Sequence, residues 1–134
     1  MTKFYLASRY SRHAEMRGYA DQLEALGHTV TSRWINGEHQ ALDGELLDPG
    51  NADHARKLMQ EDLEDLFEAD VFIAFTEAQR EPTRGGRHVE FGIALWRGKQ
   101  IFLVGPVENL FYLYPGITQF SMFEDLFSDM TGEK

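Results

Sequence analysis

The chain has 134 residues, 22 acidic against 13 basic side chains, a formal net charge of −9 and no cysteine. That length supports one domain with a real core, expected to span residues 1–134. The missing cysteine excludes a disulfide framework and thiolate chemistry, and the acidity argues against polymeric nucleic acid as a partner, because polymer binding draws on clustered Lys and Arg.

Lys3 to Ala7 reads as a short buried strand, followed by a polar loop from Ser8 to Arg12. A helix is predicted next, with Met16, Tyr19, Ala20, Leu23 and Leu26 on one stripe and Gly27 as its stop. His28 to Ile35 reads as a second strand. Asn36 to Gly50 is polar and broken by glycines, a loop or a short helix, and longer than a simple connector needs. A second helix is predicted from Ala52 to Ala69. Val71 to Phe75 is an unbroken apolar run of the kind buried on both faces in parallel sheets. A Gly85-Gly86 turn then opens a third helix that ends near Gly98. Gln100 to Val104 is the next strand, Thr118 to Met122 a short edge strand, and Phe123 to Met130 a last helix. This alternation predicts an α/β fold: a flavodoxin-like open, mostly parallel sheet of four to five strands with helices on both faces. No signal-like or long apolar run is read, so a cytoplasmic protein without a membrane partner is expected.

In such sheets a ligand sits beyond the carboxyl ends of the strands, where the strand order switches. Tyr5, Ala7, Ser8 and Arg9 converge there from the first strand, Thr76 and Glu77 from the third, and Thr83 to Glu90 from the glycine turn and its helix. Glu90 lies among apolar residues in the early turns of that helix. The helix dipole favours the charged carboxylate there, and an ionised, partly desolvated glutamate is a candidate nucleophile or base. The alternative is a surface glutamate that merely complements the dipole.

The second helix carries a contradiction. Asp62 lies within its apolar stripe of Ala55, Leu58, Met59, Leu63, Leu66 and Phe67, while Glu61, Glu64, Asp65 and Glu68 take the solvent side. A charge on a buried face needs a partner or a retained proton. Either suits proton transfer, and a structural ion pair suits it equally. Tyr5 reads as a core aromatic whose hydroxyl reaches a partner. Trp34 is a core or rim side chain, or a platform for a planar base. Phe111, Tyr112 and Tyr114 form an aromatic cluster in a loop, as an interface would. The five histidines have no metal-ligand spacing, so neither a metal nor another cofactor is expected.

The Glu61-Asp62-Leu63 helix running into Ala69-Asp70-Val71-Phe72-Ile73-Ala74, with Tyr5 in the first strand and Gly86-Arg87-His88-Val89-Glu90-Phe91-Gly92-Ile93-Ala94, resembles the nucleoside 2-deoxyribosyltransferase family, which includes related nucleoside-monophosphate N-glycosidases. The resemblance runs from Lys3 to about Leu126. It implies that Glu90 is a nucleophile forming a covalent sugar ester, that Asp62 handles the leaving base, and that Tyr5 holds the nucleophile and sugar. The residues that converge at the strand ends, with Trp34 and the loop arginines, give a candidate binding set of Ala7, Ser8, Arg9, Arg12, Trp34, Arg84, Gly86 and His88, to which the resemblance adds Asn109. Asn109 resembles an asparagine that reaches a neighbouring subunit's sugar hydroxyl, so a homo-oligomer with a shared site is expected. The small-molecule partner is a nucleoside or nucleotide.

One stretch departs from the family pattern. Transferases often carry a further acidic residue in the loop before the nucleophile, and here that loop reads Pro82-Thr83-Arg84-Gly85. Arg84 with Arg9 or Arg12 offers a 5'-phosphate contact instead, as a monophosphate hydrolase would need. A non-catalytic nucleotide-binding module is a further alternative. A flavin carrier is disfavoured because the loop after the first strand lacks a Ser/Thr/Gly phosphate cradle.

Overall fold

The computed structural model describes residues 1–37, 49–78 and 85–132. In chain order the elements are β1 (Lys3–Ala7), α1 (His13–Ala25), β2 (Thr29–Val30), α2 (Pro49–Glu68), β3 (Val71–Phe75), α3 (Gly86–Trp96), β4 (Gln100–Val104), β5 (Thr118–Phe120) and α4 (Phe123–Thr131). Short 3-10 turns lie at Tyr10–Arg12, Arg33–Asn36 and Leu110–Leu113. Five strands form one sheet in the order β2-β1-β3-β4-β5, and every neighbouring pair is parallel. This is the predicted open α/β arrangement, with even the short edge strand parallel. Among the described residues no helix is long and apolar enough to cross a membrane.

β3 is buried along its whole length, which is why it carries no polar residue: both of its faces are covered by helices. On one face Tyr5 of β1 stacks on Phe72 of β3, its register partner, and Phe91 of α3 meets Phe72 edge-on. On the other, Tyr19 of α1 stacks on Phe75 and on Phe123 of α4. Alternate residues of one strand therefore build both halves of the core.

The second strand is much shorter than the predicted His28 to Ile35. Thr31 still donates its N–H to the Phe4 carbonyl, at 2.8 Å. Beyond it, side chains replace the ladder. The Leu6 N–H donates to Ser32 Oγ at 3.2 Å, and the Leu6 carbonyl accepts from Trp34 Nε1 at 2.8 Å. With both Leu6 groups satisfied, the sheet edge needs no further strand, and Arg33–Asn36 coils into a 3-10 turn. The second helix also begins before the predicted Ala52, at Pro49. Pro49-Gly50 had read as loop punctuation, but proline suits a first helical position, where its missing N–H has no partner to lose.

The chain leaves β1 toward β2 on one side and crosses to β3 on the other, so the strand order switches between β1 and β3. The rim there is held tightly. Thr76, just past β3, donates its N–H to the Val104 carbonyl at 3.0 Å and its Oγ1–H to the Pro106 carbonyl at 2.6 Å. Gly105 has φ of 119°, and a Cβ there would lie 2.6 Å from Thr76 Oγ1. A Gly105→Ala substitution therefore combines backbone strain with a clash and should destabilise the protein by about 2–3 kcal/mol. Urea unfolding checks this; an unchanged midpoint contradicts the close approach.

Candidate active site

Tyr5 stands in the middle of β1 with its side chain fully buried. Its ring, flat against Phe72, directs the hydroxyl at α3, where it donates a hydrogen bond to Glu90 Oε2. Glu90 reaches this point because α3 buries Arg87, Phe91 and Ala94. Residue 90 thus flanks the sheet-facing stripe, one residue before Phe91. The left-handed Gly85, with φ of 83°, turns the chain into the helix.

The helix dipole led to the expectation of an ionised Glu90; desolvation overrides it. Burial is the dominant influence on Glu90 and, with the nearby Asp62 charge, raises its pKa from the ordinary 4.5 to about 8, although the Tyr5 hydrogen bond pulls the other way. Tyr5 is held well above its own ordinary value, first by burial and then by the charges of Glu90 and Asp62. These three side chains, from β1, α2 and α3, form one electrostatically coupled group. Asp62 is half-buried, as its position in the stripe implied.

The rest of the α2 stripe is rotated from its predicted phase. Met59 and Phe67, placed inside by the pattern, are nearly half exposed, whereas Asp65, assigned to solvent, is only 5 % exposed. Asp65 accepts from the backbone N–H of Arg33 at 2.9 Å and from its Nε at 2.9 Å. A cationic partner reaching over from the chain after β2 compensates this buried carboxylate. No periodicity within the helix could have revealed a partner 32 residues away in sequence.

The proposed binding residues divide into several groups. Ala7 is buried in β1, and Ser8 Oγ donates to the Arg9 carbonyl at 2.9 Å. Arg9 and Arg12 meet Glu77 across the switch point, at 3.9 and 3.4 Å. Gly86 opens α3 and is exposed. His88 is half-buried, with Nδ1 3.2 Å from the Tyr112 hydroxyl. Asn109 Oδ1 accepts the Phe111 N–H at 2.9 Å and so caps the turn Leu110–Leu113. Trp34 is a core residue whose indole N–H is committed to Leu6; it does not present a stacking face. Arg84 lies outside the described residues, as do Pro82 and Thr83.

Sequence reasoning missed one buried ion pair beside this group. Arg87, in the first turn of α3, is only 8 % exposed. It forks onto Glu108, with Nη2 donating to Oε2 at 2.8 Å and Nη1 to Oε1. The pair ties the first turn of α3 to the segment after β4 that carries Asn109. Of the aromatic cluster, Tyr112 is buried and stacks on Phe91 at 4.1 Å between centroids, while Phe111 and Tyr114 are exposed. Among the described residues no group of three or more acidic or histidine side chains is arranged to hold a metal ion.

The raised Glu90 pKa has a consequence for stability. Between pH 4.5 and about 8 the folded protein retains a proton that the unfolded chain has lost. The stability gained from neutral Glu90 is complete below about 4.5 and is lost as pH rises through about 8. Relative to wild type, Glu90→Gln should therefore become progressively more stable across that window, by up to about 1.4 kcal/mol per pH unit. Urea melts of both proteins at pH 5, 6, 7 and 8 measure the difference; a gap independent of pH rules out a raised Glu90.

No protein-family model matches the chain, and no curated protein matches its sequence. Its fold does have solved counterparts. A 2-deoxyribosyltransferase from Bacillus psychrosaccharolyticus is similar with a TM-score of 0.65 at 22% identity, over 92% of this chain and 89% of that one. The CMP N-glycosidase of Clostridium botulinum gives 0.57 at 19%, over 96% and 98%. A conserved protein from Enterococcus faecalis gives 0.59 at 17%, over 98% of both chains. At such identities the likeness establishes a common fold; the chemistry has to be argued from the side chains.

Proposed function

We propose that this protein is a nucleoside 2-deoxyribosyltransferase-like enzyme that cleaves or exchanges the N-glycosidic bond of a 2'-deoxynucleoside. The observation that carries the proposal is the Tyr5 hydroxyl bonded to a desolvated Glu90 whose proton affinity responds to Asp62. The fold adds support, since two proteins that share it are named as a deoxyribosyltransferase and an N-glycosidase.

In the proposed reaction a Glu90 carboxylate oxygen attacks the anomeric carbon. The carbon–nitrogen bond breaks with its electron pair passing to the base. Asp62 supplies a proton or a hydrogen bond to that leaving nitrogen. Positive charge builds on the sugar ring during this step, and a carboxylate in a dry site stabilises it more strongly than one in water. Water, or a nitrogen of a second base, then attacks the same carbon, gives its proton to the Asp62 carboxylate, and the ester carbon–oxygen bond breaks to release the Glu90 carboxylate. The first outcome is hydrolysis and the second is transfer. Tyr5 orients Glu90 and lowers its proton affinity, offsetting part of the desolvation.

A 5'-monophosphate N-glycosidase is the second reading, favoured by Arg9 and Arg12 at the rim of the crevice. In either case Asn109 and the exposed Phe111 and Tyr114 form the face on which a second subunit would complete the site.

Glu90→Gln keeps the shape of the side chain and removes the nucleophile, so base release should fall at least about a thousandfold. Asp62→Asn should lower it by about 10²–10⁴. Free base is measured by chromatography, and intact-protein mass spectrometry looks for the added deoxyribosyl group on wild type and its absence in Glu90→Gln. Full activity in Glu90→Gln, or nucleotide binding without any turnover in wild type, overturns the proposal.

The pH profile gives an independent check. Only the ionised Glu90 attacks, and with its pKa near 8 about a tenth of the free protein is in that form at pH 7. kcat/KM should therefore rise with pH and level off above about 8. A profile already flat from pH 5 upward shows that some other group limits the reaction.

A further inference from the structure

We infer that Glu77 sets the substrate class of this site by matching its arginines, so that the crevice takes an uncharged 2'-deoxynucleoside in preference to its 5'-monophosphate; the inference rests on the N-glycosidic reading above. Arg9 and Arg12 follow β1, and Glu77 lies two residues past β3, so the three face one another across the strand-order switch. A single Glu77 oxygen, Oε1, lies 3.9 Å from Arg9 Nη1 and 3.4 Å from Arg12 Nη1. All three side chains are largely shielded from solvent, at 29%, 23% and 18% exposure for Arg9, Arg12 and Glu77.

Arg12 has no nitrogen left unengaged. Its Nε and Nη2 donate to the two Glu15 oxygens at 2.8 and 2.7 Å, and its Nη1 donates to the Thr76 carbonyl and to Glu77. Its guanidinium also sits 5.8 Å from the centre of the Phe75 ring. Arg87, the next arginine toward the site, feels the Glu77 charge and is forked by Glu108. Among the described residues, Arg9, Arg12 and Arg87 are thus each matched by a carboxylate: Glu77, Glu15 and Glu108.

A phosphate approaching Arg9 and Arg12 would meet Glu77 at contact distance. Like charges brought together in a partly desolvated site repel, which acts as a filter against the charged substrate. A neutral 5'-hydroxyl meets no such repulsion, and a carboxylate accepts a hydrogen bond from it. Glu77 thereby separates the two substrate classes that the arginines alone would confuse.

The test compares wild type with Glu77→Gln on the four common 2'-deoxynucleosides and their 5'-monophosphates, with free base as the readout. Wild type should favour the nucleosides in kcat/KM by at least about tenfold, and the variant should lose about tenfold or more of that preference. The loss should come mainly from a lower KM for the monophosphates and shrink as salt rises. A wild type that prefers monophosphates, or a preference unchanged in the variant, overturns the inference while leaving the glycosidic reading intact. Absence of base release from every substrate sinks that reading instead, and the inference with it. If circular dichroism shows that Glu77→Gln does not fold, inorganic phosphate decides with wild type alone. Competitive inhibition at millimolar phosphate overturns the inference, and none upholds it along with the nucleoside preference.

Discussion

A hydroxyl on the central part of the sheet donating to a carboxylate on the neighbouring helix links the scaffold to its chemistry. Tyr5 is positioned by β1, which lies between β2 and β3, and by the Phe72 ring against its own. Glu90 is positioned by the next residue, Phe91, which packs between Phe72 and Tyr112. Each occupies the position that parallel pairing and one buried helical stripe impose. The hydrogen bond gives the carboxylate one partner in a setting that otherwise favours its neutral form.

The same geometry explains why charges near the strand-order switch are paired. Removing carboxylates and guanidinium groups from water is costly unless each finds a partner. Here the pairs bridge elements distant in sequence: Asp65 with Arg33, Arg87 with Glu108, and Glu77 with the arginines after β1. Each clamps a loop to the sheet's rim or to a helix. The overall acidity of the chain conceals this local balance, which only the pairings reveal.

Two carboxylates in unlike settings can divide the work of a glycosyl transfer. Glu90 is desolvated and hydrogen-bonded, and Asp62 stands close enough to raise its proton affinity. Their coupling means that the proton of one is linked to the charge of the other, which suits a reaction that begins with attack by one carboxylate and ends with a proton on the departing base.

Much of this was readable in the sequence. Apolar runs at Val71–Phe75 and Phe4–Ala7, separated by amphipathic helices, point to a parallel sheet, because helices on both faces bury such strands. Asp62 stood out because a charge interrupted an apolar stripe, and Glu90 because it followed a glycine turn. What the chain could not announce depended on contacts between distant segments. The second strand stops early because Ser32 and Trp34 satisfy the Leu6 backbone in place of a ladder. Asp65 is buried because Arg33 comes to meet it, while Met59 and Phe67 turn outward. Glu90 binds its proton tightly because desolvation outweighs a helix dipole that acts within one turn. Periodicity reports which face of an element is apolar; the environment of a single polar atom is decided by the groups that tertiary packing brings within a few ångströms of it.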